Sequence, residues 1–142
     1  MTNQMTIDVS EAMVVLSTML ERYRNVTPLL EEIGQLETEA AKERIRSGKV
    51  TPYGAEWEPW ADSTAAYRHR KGNAGQGLLW DTGTLLDDMQ YHVDGYTVEI
   101  GSPLSYSVFL QYGTYHMPAR KFLGWGDNQV FYEDMATAFF GV

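Results

Sequence analysis

The side chains able to do chemistry are few and poorly spaced for it. The chain has 3 histidines, His69, His92 and His116. None stands at the three- or four-residue spacing that puts two imidazoles on one helical face, so a metal site would need the fold to gather them with carboxylates. Surface or strand histidines are the expectation. Asp87 and Asp88 are neighbours, which on a helix point roughly 100° apart and on a strand face opposite sides. Neither arrangement makes an acid–base pair, and capping or solvating a helix end is expected of them instead. The glycine-rich run "GNAGQG" (72–77) lacks the Lys–Ser/Thr of a phosphate loop, and no serine lies in a GxSxG turn. With 0 cysteines, disulfides, thiolate zinc sites and a cysteine nucleophile are excluded together. No enzyme activity and no metal or cofactor is expected.

One basic cluster stands out. Arg68, Arg70 and Lys71 follow Tyr67, and charge with stacking could bring nucleic acid there. The plainer reading is a solvated helix end, where cations suit the dipole; docking onto an acidic partner is a third. Net charge is −8, whereas proteins that grip phosphates are normally basic on at least one face.

At 142 residues, 44% hydrophobic and 21% charged, the chain has the length and composition of one globular domain. No apolar run approaches the ~20 residues that span a bilayer, and the first residues lack the basic-then-apolar pattern of a secretory signal. The expected domain is 1–142, divided into N-terminal helices (1–48), a loop, hairpin and motif region (49–126) and a C-terminal segment (127–142). The first helix carries an apolar stripe of Val9, Met13, Leu16, Leu20 and Tyr23, with Asp8 and Glu11 resembling a capping box. The second has Thr27 as cap and Pro28 at its first position, a stripe of Leu29, Ile33, Leu36, Ala40 and the stem of Arg44, and Gly48 as left-handed stop.

"TPYGAEWEPWADST" (51–64) is an ordered loop pinned by Trp57 and Trp60, which are expensive to leave wet. Ser63 or Thr64 caps a short helix, and "GNAGQG" after it reads as a mobile loop, with Gly72, Gly75 and Gly77 in a candidate partner-contact segment beside Arg68, Arg70 and Lys71. Gly83 turns between two leucine pairs. Met89, Tyr91 and Val93 before Asp94–Gly95, and Tyr96, Val98 and Ile100 after it, form the strongest hairpin signal in the chain. "SYSVFLQYG" is a short helix closed by Gly113. The tail is helical, with Asp127 as cap and Val130, Met135, Ala138 and Phe139 for burial. Helices segregated from an antiparallel hairpin make the class α+β, helices packed on a small antiparallel sheet. A lone hairpin is marginal, so further strands are expected within 114–125 or from a neighbouring subunit.

"YGTYHMPARKFLGW" (112–125) has neither alternation nor a helical period. Pro118 turns the chain, Arg120 can fork onto a carboxylate, and Phe122 and Leu123 can anchor inward. A core-pinning loop ranks ahead of an interface, and a catalytic loop behind both.

The ordered set of motifs resembles the phage virion morphogenesis family, the Mu-like tail completion proteins. The residues that carry it are Pro52, Gly54, Trp57 and Pro59; Thr82, Gly83 and Leu85; Val98, Ile100 and Gly101; Tyr106, Gln111 and Gly113; and Pro118, Ala119, Arg120, Phe122, Leu123 and Gly124. Leu110 stands where members often carry His, and Trp60 where Leu or Met is common. The resemblance implies a non-enzymatic structural protein that acts in tail completion or head-to-tail joining. It implies a fold similar to tail-terminator and head–tail connector proteins, and a ring, sixfold to match a tail. The implied partners are further copies of the chain, tail-tube and head-connector proteins, and DNA that crosses a lumen without specific binding, with no membrane. The implied location is the tail or neck of a virion put together in a host bacterium's cytoplasm. A neighbour's strand would cover the hairpin edges, and the 72–77 loop would order on contact with a partner.

Overall fold

The computed structural model describes residues 4–47, 50–126 and 128–141. Gly48 and Asp127, expected as a helix stop and a cap, lie outside the described residues. Helices α1 (Ser10–Arg24) and α2 (Thr27–Ser47) come first. In α2 the Leu30 N–H donates to the Val26 carbonyl at 3.0 Å, so the cap is Val26, one residue before the expected Thr27. Its buried face is Leu29, Ile33, Gly34, Glu37, Thr38, Ala41 and Ile45. Leu36, expected there, is exposed, and Ala41 takes the place of Ala40. The reason is Gly34. A Cβ on it would collide with the Tyr91 ring, so the helix turns its glycine toward the sheet and rotates Leu36 away.

The sheet is an antiparallel hairpin of β1 (Gln90–Asp94) and β2 (Thr97–Gly101). Asp94 pairs with Thr97, Val93 with Val98 and Tyr91 with Ile100, which puts Tyr91, Val93, Val98 and Ile100 on the face toward α2. Gly95 has φ +57° and is the first of two loop residues, the place a type II′ turn reserves for glycine. Tyr96, expected in the second strand, is therefore the other loop residue and 62% exposed. Met89 precedes the strand and is buried. Among the described residues this is the whole sheet. The expected strand in 114–125 is a single bridge, Thr114 with Met117, because Gly113 and Pro118 leave too few residues between them for a ladder.

The remaining helices are α3 (Asp62–Lys71), α4 (Thr84–Asp87), α5 (Ser107–Tyr112) and α6 (Asn128–Phe140). The cap of α3 is Ala61, and Ser63 and Thr64 lie inside the helix. The main core gathers Ala41, Ile45, Trp57, Leu85, Met89 and Phe122; a second joins Leu29, Ile33 and Tyr132. On α6 the inward residues are Tyr132, Met135, Ala136 and Phe139, at helical spacing; Val130 and Ala138, expected inside, are exposed. The larger departure is α1. None of its residues is buried. It meets the body at its C-terminal end, where Arg22 Nη1 donates to the Phe139 carbonyl at 3.1 Å and Tyr23 lies 5.8 Å from Tyr96 and 6.5 Å from Phe140. Asp8 accepts the Ser10 N–H at 2.9 Å, and Val9 holds the cap position. The class is α+β. Among the described residues no helix is long and apolar enough to cross a membrane.

Candidate functional site

The segment 112–125 is built into the protein by its own polar atoms. Gln111, at the end of α5, accepts the N–H groups of Phe122 and Leu123 at 3.1 Å each, and its Nε2 donates to the Leu123 carbonyl at 2.9 Å. One amide side chain thus serves as a strand partner for a stretch that has no strand. Trp57 Nε1 donates to the Lys121 carbonyl at 2.9 Å. Arg44 reaches from α2 to the Phe122 carbonyl at 3.1 Å. Phe122, fixed from three sides, has no exposed surface, while Leu123 packs half-buried against the same core.

Arg120 was expected to fork onto a carboxylate. Its Nε and Nη2 donate instead to the carbonyls of Glu58 and Pro59, at 2.8 Å each. A planar guanidinium can join two adjacent main-chain acceptors, and this one ties 118–124 to the loop that carries Trp57 and Pro59. Burial depresses its pKa. Gly113 has φ +76°, and a Cβ on it would come within 2.7 Å of the Ala119 nitrogen; only glycine fits this turn. The motifs Trp57–Pro59, Gln111–Gly113 and Pro118–Gly124 therefore converge on one framework.

The basic cluster is a second knot. Arg68 is buried; its Nη1 lies 3.2 Å from Asp81 Oδ1, and Nη2 donates to the Gly77 carbonyl at 2.9 Å. Its guanidinium carbon sits 4.6 Å from the centre of the Trp60 ring, whose Nε1 donates to the Leu78 carbonyl at 2.9 Å. Lys71 Nζ and Asn73 Nδ2 donate to the same Asp81 oxygen, at 2.8 and 2.7 Å. Hydrogen bonds from Lys71 and then Asn73 hold the Asp81 carboxyl below the usual aspartate range, and the bond to Asp81 raises Lys71. Gly72 closes α3 at φ +83°, Gly75 is open to solvent on its Cβ side, and Gly77 is held by Arg68. Of the three cations only Arg70 points away into solvent without serving this knot.

Between the two knots lies a cleft of about 440 Å³, walled by Trp60, Tyr67, Tyr106, Pro118 and both buried arginines. His116 is on its rim, edge-on to Tyr115; His69 and His92 are exposed elsewhere. Among the described residues no three His, Asp or Glu side chains gather as a metal site. Gly83, with φ +91°, precedes α4 and turns Leu85 and Leu86 into the core; Asp87 is exposed and Asp88 half-buried.

Sequence reasoning missed two residues that organise the fold. Glu37, buried on α2, accepts from Arg44 at 3.2 Å, from Asn128 at 3.2 Å and from the Tyr132 hydroxyl at 2.6 Å. Burial, and then this bond, push the Tyr132 hydroxyl pKa up. Asp81 is the other. The available signal for Glu37 was its place two turns before Arg44 on a helical face that is otherwise apolar.

Outside the framework, α5 presents Val108, Phe109 and Tyr112 to solvent. No curated protein and no solved structure matches the chain. A family profile described as the phage virion morphogenesis family matches residues 7–135, a span that takes in both knots, the hairpin and α1. The protein belongs to the phage virion morphogenesis family, and its role is a structural one in building the virion.

Proposed function

We propose that the protein completes the phage tail or joins it to the head, as a ring of identical subunits on the tail tube, and that it makes and breaks no covalent bond. The observation that carries this reading is the family match over 7–135, together with the use made of the motif residues. Arg120, Gln111 and Trp57 are committed to main-chain atoms of the protein itself, so the motifs build a shaped body whose outer surface is left for partners. Those partners are neighbouring copies, the tail tube and the head connector, in the neck region of a particle put together in the host cytoplasm. A net charge of −8 suits a passage through which DNA moves without sticking. Binding nucleic acid through Arg68, Arg70 and Lys71 is less well supported, since Arg68 and Lys71 are paired with Asp81.

The test is a phage carrying a stop codon in this gene. Heads and tails should accumulate unjoined, or with tails of irregular length, in electron micrographs of lysates, and supply of the protein in trans should restore particles. Normal yields of joined, infectious particles without the protein would overturn the reading.

A further inference from the structure

Two apolar surfaces of the chain lie uncovered, and the fold keeps them apart. On α1, at 100° per residue, every apolar side chain but Val14 falls within an arc of about 160°, with the polar residues in the remainder. Met13, Leu16 and Leu20 on that arc are 55%, 57% and 47% exposed. A fifteen-residue helix is marginal alone in water, and an amphipathic face of this width is one that a partner covers. The second surface is on α5, where exposed Val108 and Tyr112 border a groove of about 410 Å³ that also takes in Leu123 and Trp125. The hairpin separates the two. Its turn residue Tyr96 packs on Tyr23 of α1, while its other end, at Gly101, leads directly into the segment before α5. Five strand residues put those ends roughly 16 Å apart.

We infer that α1 of one copy lays its apolar arc in the α5 groove of the next copy, an interface that rests on the assembly role proposed above and gives it a geometry. Area and charge both favour a second copy as the occupant. The exposed apolar side chains of Val9 to Tyr23 offer on the order of 600 Å², close to the roughly 800 Å² each partner contributes to a stable interface. From Asp8 to Arg24 three acids, Asp8, Glu11 and Glu21, stand against Arg22 and Arg24, so this segment is nearly neutral on a chain of net charge −8 and can approach another copy without strong like-charge repulsion. A ridge on one end and a groove on the other make a helix-in-groove contact. Such a contact is heterologous, the type that forms a ring when the rotation between copies closes and an open filament when it does not.

The absence of cysteine gives a clean test on the full chain. A variant with both Leu16→Cys and Val108→Cys, mildly oxidised at about 100 µM, should give a ladder of disulfide-linked oligomers. A mixture of the two single variants should stop at linked dimers, and each single variant should stay unlinked. Linking of Leu16→Cys to itself would identify a symmetric α1 pair and overturn the inference, as would no linking in the double variant. Leu16→Glu alters an exposed site, so its circular dichroism should match the parent, and light scattering should fall to the mass of one chain; an unchanged oligomer mass also overturns it. Phage joining reads the other question. A Leu16→Glu protein that oligomerises normally and restores particles in trans keeps the assembly role and loses this interface, whereas a stop-codon phage with normal particles loses the role itself.

Discussion

Phe122 has no exposed surface, and Leu16 on α1 keeps 57% of its own open. The contrast extends to the segments around them. Residues 112–125 follow no period, yet Gln111, Trp57 and Arg44 bond the backbone at and beside Phe122, and Arg120 ties the segment to the carbonyls of Glu58 and Pro59. Helix α1 follows a clean period and buries nothing. An irregular segment can enter a core only where its main-chain groups find partners, so for 112–125 the polar side chains decide burial. A regular helix satisfies its backbone internally, and its stripe says that a face is to be covered without saying by which molecule.

The strongest way to break this contrast is Phe122→Ala. Removing a fully buried ring should destabilise the chain by about 3–5 kcal/mol, read as a lower urea midpoint at unchanged slope; a loss under about 1 kcal/mol would mean the segment is not core. Next is Arg120→Ala, which strands the Glu58 and Pro59 carbonyls and should cost about 2–4 kcal/mol. Arg120→Lys should recover little of it, because one ammonium cannot reproduce the fork. Gln111→Leu removes three hydrogen bonds at similar volume and should cost about 2–3 kcal/mol, with faster amide exchange at Phe122 and Leu123 as the specific sign.

These effects also mark what the sequence disclosed. The hairpin, the Gly113 stop and the two tryptophan anchors were legible, because glycine turns and apolar spacing act over a few residues; the convergence of the motifs was not, since Trp57 and Lys121 lie 64 positions apart. Nor were the Arg120 partners. Glu58 and Pro59 lie 62 and 61 residues away, and nothing local distinguishes a guanidinium aimed at carbonyls from one aimed at a carboxylate. The hairpin register slipped for a local reason: Asp–Gly can supply both loop residues or, as here, the last strand residue and the first of the loop. Arg68 read as surface charge because Asp81 stands 13 positions on, beyond the reach of helical spacing.

A smaller effect sharpens the picture of the second knot. The folded pKa of Asp81 is depressed, so its contribution is present above the unfolded value and is lost as pH falls through the folded one. Wild type should therefore lose thermal stability below the ordinary aspartate range, and Asp81→Asn should flatten that part of the profile. The side chain is 43% exposed, and solvent screening keeps the effect at about 1 kcal/mol or less. An identical acid profile in the variant would show that Lys71 and Asn73 hold the 72–77 loop without that charge.

The smallest effect is expected where the sequence pattern is cleanest. In dilute solution Leu16→Ala should cost under about 0.5 kcal/mol of stability, read from the urea midpoint, since the side chain already meets water in the single chain. Raised to concentrations where copies associate, the same variant should fall behind wild type, because stabilisation by a partner grows with partner concentration. A loss above about 1 kcal/mol that does not change with concentration would mean α1 is covered within its own chain. In that case Leu16 and Phe122 would differ only in degree, and periodicity would have identified an ordinary core face after all.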